Sequence, residues 1–319
     1  MVAPLCHGTQ FEKQWLNEVT WFSTSKKEYS SWLLLIAHAF SYFVLKHMLF
    51  NLKKITWVVL LFAMGCAPSS LPDTKHKFIV IAHRGDHTQA PENTLKAFEQ
   101  AIADGADYVE VDVRTSRDGK LIVMHDGTVD RMTKGTGNIH EMNYPELQHL
   151  QVYDIAHPEH GSFSIPTLED VLILCKNRIN IYLDFKAADA AETWTLLQKN
   201  KAEKSVVVYV NSEEQYSAWR RVAPQVPLIV SLPDSITNAP SLSHFLDIVD
   251  AEILDGNASQ YTDEMVQVAQ SRGRVVWADI QQPDEGPEIW ETALRTKLHG
   301  LQTDSPMKLI RYLQEKNKR

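Results

Sequence analysis

Glu110 and Asp112 stand two residues apart in Tyr108-Val109-Glu110-Val111-Asp112-Val113, a run whose β-branched residues predict a strand. A period of two puts both carboxylates on one side of a sheet. Asp184 lies in a second run of the same kind, Tyr182-Leu183-Asp184-Phe185-Lys186. Carboxylates turned together into a protein interior repel one another, and burying them without compensation is costly. A hard divalent cation is the economical compensation, and the all-oxygen set of Glu110, Asp112 and Asp184 suits Mg2+ or Ca2+. A buried ion-pair network with Arg84, Arg114 and Lys186 is the competing arrangement.

Two histidines stand at the ends of neighbouring apolar runs. His83 follows Phe78-Ile79-Val80-Ile81-Ala82, and His125 follows Leu121-Ile122-Val123-Met124. Imidazole titrates near neutral pH, so such a pair beside an acidic cluster suits general acid and base work. A lone His is more often a structural side chain, and the other eleven of the 13 are read that way. Arg84 and Lys186 can neutralise phosphate oxygens, Arg as a planar fork and Lys as a point charge. Their plainer role is pairing with the acidic cluster. Cys175, beside Val171, Leu172 and Leu174 on a predicted helix, reads as an inert core thiol.

The elements that must position these groups alternate between short β-branched runs and amphipathic helices, the mark of repeated βα units around a parallel sheet. Strands are predicted at Phe78–Ala82, Tyr108–Val113, Asn180–Phe185, Ser205–Val210, Pro227–Ser231, Asp247–Leu254, Arg274–Ala278 and Gly300–Gln302. Asn93 is the expected N-cap of a helix over Thr94–Asp104 that stops at Gly105, and Thr167 with Asp170 forms a capping-box pattern. Eight strands with helices fit the α/β class as a TIM (β/α)8 barrel, which places its site at the C-terminal ends of the strands. Only Ser116-Arg117-Asp118-Gly119 separates Val113 from the next apolar run, too short for a crossover helix. Leu121–Met124 is therefore expected as an antiparallel hairpin strand, followed by a small insertion after the second strand at residues 127–166.

The 319 residues are 44% hydrophobic and 23% charged, which excludes wholesale disorder and disulfide-scaffold classes. Residues up to Lys75 hold seven of the 32 basic and four of the 40 acidic groups, leaving 25 basic against 36 acidic, a balance of −11, over 76–319. Such a body makes a poor partner for nucleic acid, and no protein partner is evident. Lys53 and Lys54 precede an apolar run from Ile55 to Gly65, too short to span a bilayer but suited to a secretory signal. Ala63-Met64-Gly65-Cys66 resembles the lipobox of bacterial lipoproteins. The expected organisation is an over-extended or unassigned leader at 1–47, a signal peptide at 48–66 with a lipid anchor on Cys66, a linker at 67–75 and the barrel at 76–319. A broken membrane anchor over Trp32–Leu45 and Ile55–Gly65 is the competing reading, interrupted by Lys46, His47, Lys53 and Lys54. The first reading implies an extracytoplasmic, lipid-anchored protein of the bacterial cell envelope.

Taken in order, His83-Arg84-Gly85, Pro91-Glu92-Asn93-Thr94, Glu110-Val111-Asp112, His125-Asp126 and Thr303-Asp304-Ser305-Pro306 resemble the glycerophosphodiester phosphodiesterase family over Phe78 to Leu313. The resemblance implies a TIM barrel with a small insertion, a divalent cation, and hydrolysis of glycerophosphodiesters to glycerol 3-phosphate and an alcohol. It implies His83 and His125 as the acid and base pair, Glu110 and Asp112 as metal ligands, and Arg84 and Lys186 as phosphate contacts. Asp184 stands where the family usually has Glu. Asp-x-Lys at this place also resembles sphingomyelinase D type phospholipases, which keeps phospholipase D or lysophospholipase D activity on membrane lipid as an alternative. Tyr153, Ile155 and Phe163 are the apolar insertion residues that could serve it. Trp277, at the end of the seventh strand, is a candidate wall of a substrate pocket, with core packing the alternative. A noncatalytic lipoprotein that binds a phosphorylated ligand is the rival from outside enzymology.

Overall fold

The computed structural model describes residues 70–282 and 284–319. The leader, the signal segment and Cys66 lie outside the described residues, as does the start of the 67–75 linker. No helix among the described residues is long and apolar enough to cross a membrane.

In chain order the strands are β1 (Ile79–Ala82), β2 (Tyr108–Thr115), β3 (Leu121–Val123), β4 (Gln151–Tyr153), β5 (Ser162–Ser164), β6 (Asn180–Ala187), β7 (Val206–Val210), β8 (Leu228–Ser231), β9 (Ile253–Asp255), β10 (Val275–Asp279) and β11 (Gly300–Thr303). The helices are α1 (Leu95–Asp104), α2 (Tyr144–Gln148), α3 (Leu168–Cys175), α4 (Ala190–Asn200), α5 (Glu213–Val222), α6 (Ala239–Ile248), α7 (Asp263–Ser271), α8 (Pro287–Arg295) and α9 (Pro306–Glu315). Eight strands run parallel in the order β1-β11-β10-β9-β8-β7-β6-β2, and a β1–β2 pairing closes them into the expected barrel. β3 returns antiparallel along the end of β2, with Val113 opposite Val123 and Thr115 opposite Leu121.

Alternation along the strands sorts the barrel interior into two zones. Ile79, Ile81, Tyr108, Tyr182, Val207, Ile229, Ile253 and Trp277 form one buried apolar cluster. Two residues further along the same strands come Glu110, Asp184, Asp255 and Asp279, the last two at the ends of β9 and β10. The apolar plug supplies the hydrophobic driving force and the rigid floor, and the carboxylates sit above it. The 127–166 insertion packs a second apolar cluster on β3, in which Ile122 and Met124 meet Val129, Met132, Ile139, Leu147, Val152 and Ile165.

Two expectations about element ends are corrected. The strand predicted from Asp247 begins only at Ile253, because Leu242, Phe245 and Leu246 bury at helical spacing and carry α6 through Ile248. Asn93 is not the cap of α1. Thr94 is, its hydroxyl accepting from the Ala97 amide at 3.2 Å, while Asn93 takes a left-handed backbone with φ of 56°. The Thr167–Asp170 capping box of α3 and the Gly105 stop of α1 form as expected.

Candidate functional site

The turn after β1 carries His83 and Arg84. Arg84 and Gly85 both adopt positive φ, 53° and 82°, and a Cβ at residue 85 would lie 2.7 Å from the Ala97 backbone, so only Gly fits beneath α1. The left-handed turn aims the Arg84 backbone N–H at Glu110, where it donates to Oε2 at 2.8 Å.

Glu110, Asp112 and Asp184 are all buried, and each offers a carboxylate oxygen within 4.8 Å of the others. Lys186 Nζ bridges two of them, 2.6 Å from Asp184 and 3.4 Å from Asp112. Asn93 Nδ2 donates to Asp112 at 2.7 Å, and Asn211 Nδ2 donates to Asp184 at 2.8 Å. Arg84 Nε stands 3.5 Å from Asp112 with no hydrogen-bond partner, while its Nη1 donates to Glu92 at 3.0 Å. Arg114 does not join this network through its guanidinium, which donates instead to the His125 carbonyl at 3.0 and 2.5 Å.

These contacts leave the cluster short of positive charge. Burial, with Asp112 and Asp184 adding to it, pushes the Glu110 carboxyl well above the ordinary range. Burial also raises Asp184, against the pull of Lys186. Burial would raise Asp112 too, but Lys186 and Arg84 outweigh it and hold that carboxyl below its usual value. Three hard oxygen donors with too few cations among them fit a divalent ion.

Both histidines are held in the same way. His83 Nδ1 lies 2.6 Å from Asp304 Oδ1, and His125 Nδ1 lies 2.7 Å from Asp126 Oδ1. An ionised carboxylate only accepts, so in each neutral ring the proton sits on Nδ1 and the lone pair on Nε2. Burial lowers the His125 pKa; Asp112 opposes that effect and Arg84 and Lys186 reinforce it. His87 joins the first pair, with Nε2 3.5 Å from Asp304.

The insertion contributes Arg131, which clamps Asp126 at 2.6 Å and Glu92 at 2.7 Å. Burial is the largest single effect and would raise both acids, but Arg131's hydrogen bonds and charge, together with Arg84 at Glu92 and His125 at Asp126, outweigh it. The Glu92 carboxyl drops from 4.5 to about 2 and that of Asp126 from 3.8 to about 2. A depressed folded pKa stabilises at pH values above the unfolded pKa, and that contribution drains away as pH falls through the folded one. Arg131→Ala is therefore expected to cost about 1–2 kcal/mol at pH 7, discounted for the solvent on Arg131, and much less near pH 2. Denaturant unfolding at both pH values checks this, and an equal cost at each would contradict it.

Sequence reasoning gave no role to Asp304, Asp126, Arg131 or Asn211, and misread Asn93. It also passed over a carboxyl pair on the far wall. Asp255 accepts from the Tyr182 hydroxyl at 2.6 Å, and Asp279 accepts from Gln302 Nε2 at 2.7 Å. Burial raises both acids, with Asp279 adding to the effect at Asp255. Trp277 does not reach the site. It is 2% exposed, packed in the apolar plug with its ring 4.9 Å from that of Tyr108, because β10 runs on to Asp279 and leaves Trp277 one layer below the strand end. Of the apolar insertion residues, Ile155 is 65% exposed, whereas Tyr153 is half-buried and donates its hydroxyl to the Thr133 carbonyl.

A glycerophosphodiester phosphodiesterase of Bacillus subtilis (strain 168) is 28% identical to this chain over 172 residues, 48% of this chain and 59% of that protein. The chain thus spans about three fifths of the length of that relative. Among solved structures, the glycerophosphodiester phosphodiesterase of Agrobacterium tumefaciens str. C58 superposes with a TM-score of 0.65 at 25% identity, covering 73% of this chain and 99% of that one. An Oleispira antarctica phosphodiesterase, solved in complex with the product sn-glycerol-3-phosphate, shares the fold with a TM-score of 0.65 at 23% identity, over 74% of this chain and 96% of that one. Residues 83–308, from the first site histidine past Asp304, match the model of the glycerophosphoryl diester phosphodiesterase family, and the chain belongs to that family.

Proposed function

We propose that this chain hydrolyses glycerophosphodiesters to glycerol 3-phosphate and an alcohol, with a divalent cation, Mg2+ or Ca2+, held by Glu110, Asp112 and Asp184. The observation that carries the reading is the pairing of two carboxylate-anchored imidazoles, His83 on Asp304 and His125 on Asp126, with a buried acidic cluster that lacks positive charge. When bound, the cation supplies Lewis-acid polarisation of a phosphoryl oxygen. One imidazole takes the proton of the attacking oxygen at its free Nε2, and the other, as imidazolium, returns a proton to the leaving alkoxide. Arg84, whose buried Nε has no hydrogen-bond partner, binds a non-bridging phosphate oxygen. Lys186 divides its charge between that phosphate and the two aspartates that it bridges.

The test is release of glycerol 3-phosphate from glycerophosphocholine and glycerophosphoethanolamine, with Mg2+, Ca2+ or EDTA present. Cation-dependent release is expected. Release from lysophospholipid or sphingomyelin alone would move the reading to a phospholipase D or lysophospholipase D. Ligand retained unchanged for hours would make the chain a binding protein.

Localisation is part of the same proposal. The Ala63-Met64-Gly65-Cys66 pattern supports a mature chain anchored by lipid on Cys66 at the outer side of a bacterial membrane. Mass spectrometry of the mature N-terminus tests it: diacylglyceryl-Cys66 is expected, and an intact Met1 would refute it.

A further inference from the structure

The antiparallel pair β4–β5 in the insertion, with Tyr153 opposite Ser162, is joined by a tip that ends in a 3-10 turn, Pro158–His160. His157, Glu159 and His160 each place a ligand atom within 4.8 Å of the others on this tip. Glu159 Oε1 is 3.1 Å from His157 Nδ1, and the two imidazole rings stack at 4.9 Å and 17°. The tip also holds a polar atom with nothing to bond. His160 Nδ1 is shut off from solvent and has no hydrogen-bond partner, its nearest carboxylate oxygen being Asp154 Oδ2 at 3.7 Å. Asp154 Oδ1 accepts from the Ala156 and His157 amides at 2.8 and 3.2 Å, which fixes that side chain and leaves Oδ2 turned to His160.

We propose that this tip is a second metal site, taking one borderline transition ion of the Zn2+ class through His157, Glu159, His160 and Asp154. A surface ion pair accounts for His157 and Glu159 alone; it leaves the buried nitrogen of His160 orphaned, whereas a cation satisfies it. Two imidazoles and two carboxylates are a tetrahedral donor set for Zn2+, with ligands about 2.0–2.2 Å from the ion. His157 and Glu159, 57% and 66% exposed, are the donors with room to rotate toward the fixed Asp154 carboxylate and the buried His160 nitrogen. The barrel cluster offers oxygen only and suits a hard ion, so the two sites sort cations by softness. Donors confined to residues 154–160 can close only this tip, so the bound ion staples the hairpin and leaves the barrel chemistry alone.

The experiment is a titration of the metal-free full chain with Co2+ and then Zn2+ in excess Mg2+, reading the visible d–d absorption of Co2+ and the heat of Zn2+ binding. One equivalent of four-coordinate Co2+ is expected, displaced by Zn2+ with a Kd below about 1 µM. Asp184→Asn should keep this signal. The His157→Ala/His160→Ala variant should weaken Zn2+ binding by at least about a hundred-fold while its Mg2+-supported activity stays at the wild-type level. His160→Asn, closer in volume, is the second variant should the double variant fail to fold. Unchanged Zn2+ affinity in these variants, or only octahedral, millimolar Co2+ binding in the wild type, would overturn the proposal.

Discussion

His83→Ala and His125→Ala should each lower glycerol 3-phosphate release by about 10^2- to 10^4-fold, the range that a positioned acid or base supplies, with the melting temperature close to wild type. The two effects separate because of where the rings sit. The side chains of His83 and His125 are 19% and 25% exposed, above the apolar plug, so truncation opens no cavity in the core. Nor does it strand a buried charge. Asp304 is 38% exposed, and Asp126 keeps Arg131 at 2.6 Å. Turnover with saturating cation and thermal unfolding measure the two halves. Near-normal turnover in either variant would remove that residue from the proposed chemistry, and a collapse of the fold would make the ring structural. Asp304→Asn should fall between wild type and His83→Ala, since an amide can still accept from Nδ1 but no longer stabilises the charged ring.

The barrel was legible because its strands and helices repeat with distinct periods, and the hairpin strand β3 because four turn residues cannot hold a crossover. The acidic cluster and both histidines were legible for a related reason. A strand period fixes which residues share a side, and a barrel gathers the strand ends, so Glu110, Asp112 and Asp184 converge without any knowledge of their neighbours. What period cannot express is pairing between distant loops. Asp304 meets His83 across 221 positions of sequence because β11 pairs with β1. Arg131 looks like any surface cation until the insertion folds onto β3 and brings it to Asp126 and Glu92. Asn93 was misread by a good rule: Asn favours N-caps, but Thr94 was free to cap, and that freed the Asn93 amide for Asp112. Trp277 was misplaced by a single layer, the distance between a pocket wall and a core.

Glu110→Gln and Asp112→Asn, two isosteric neutralisations in one cluster, should move the stability of the metal-free protein in opposite senses. The folded pKa of Glu110 is raised by burial and by two neighbouring carboxylates, so its ionised form destabilises the fold as pH rises through that value. A neutral amide removes the repulsion and can still accept from the Arg84 N–H, so stability should hold or rise by about 1 kcal/mol. Asp112 has a depressed folded pKa, and its contribution is present at neutral pH and lost on acidification. Its replacement takes from Lys186 and Arg84 the counter-ion that they share, while Asp184 and Glu92 still pair with them, a loss of about 1–3 kcal/mol. Divalent cation reverses part of this order. Binding to the native state alone raises the wild-type melting temperature by mass action, and both variants should lose that rise together with turnover. Melting curves with EDTA and with millimolar Mg2+ or Ca2+ read all of these outcomes. If the cluster were only an ion-pair network, cation would leave the wild-type curve where it was, and Glu110→Gln would cost as much as Asp112→Asn. An unmoved wild-type curve would exclude the metal site. A rise that vanishes in Glu110→Gln, with its metal-free stability intact, would identify Glu110 as a residue kept for the cation at the expense of the empty fold.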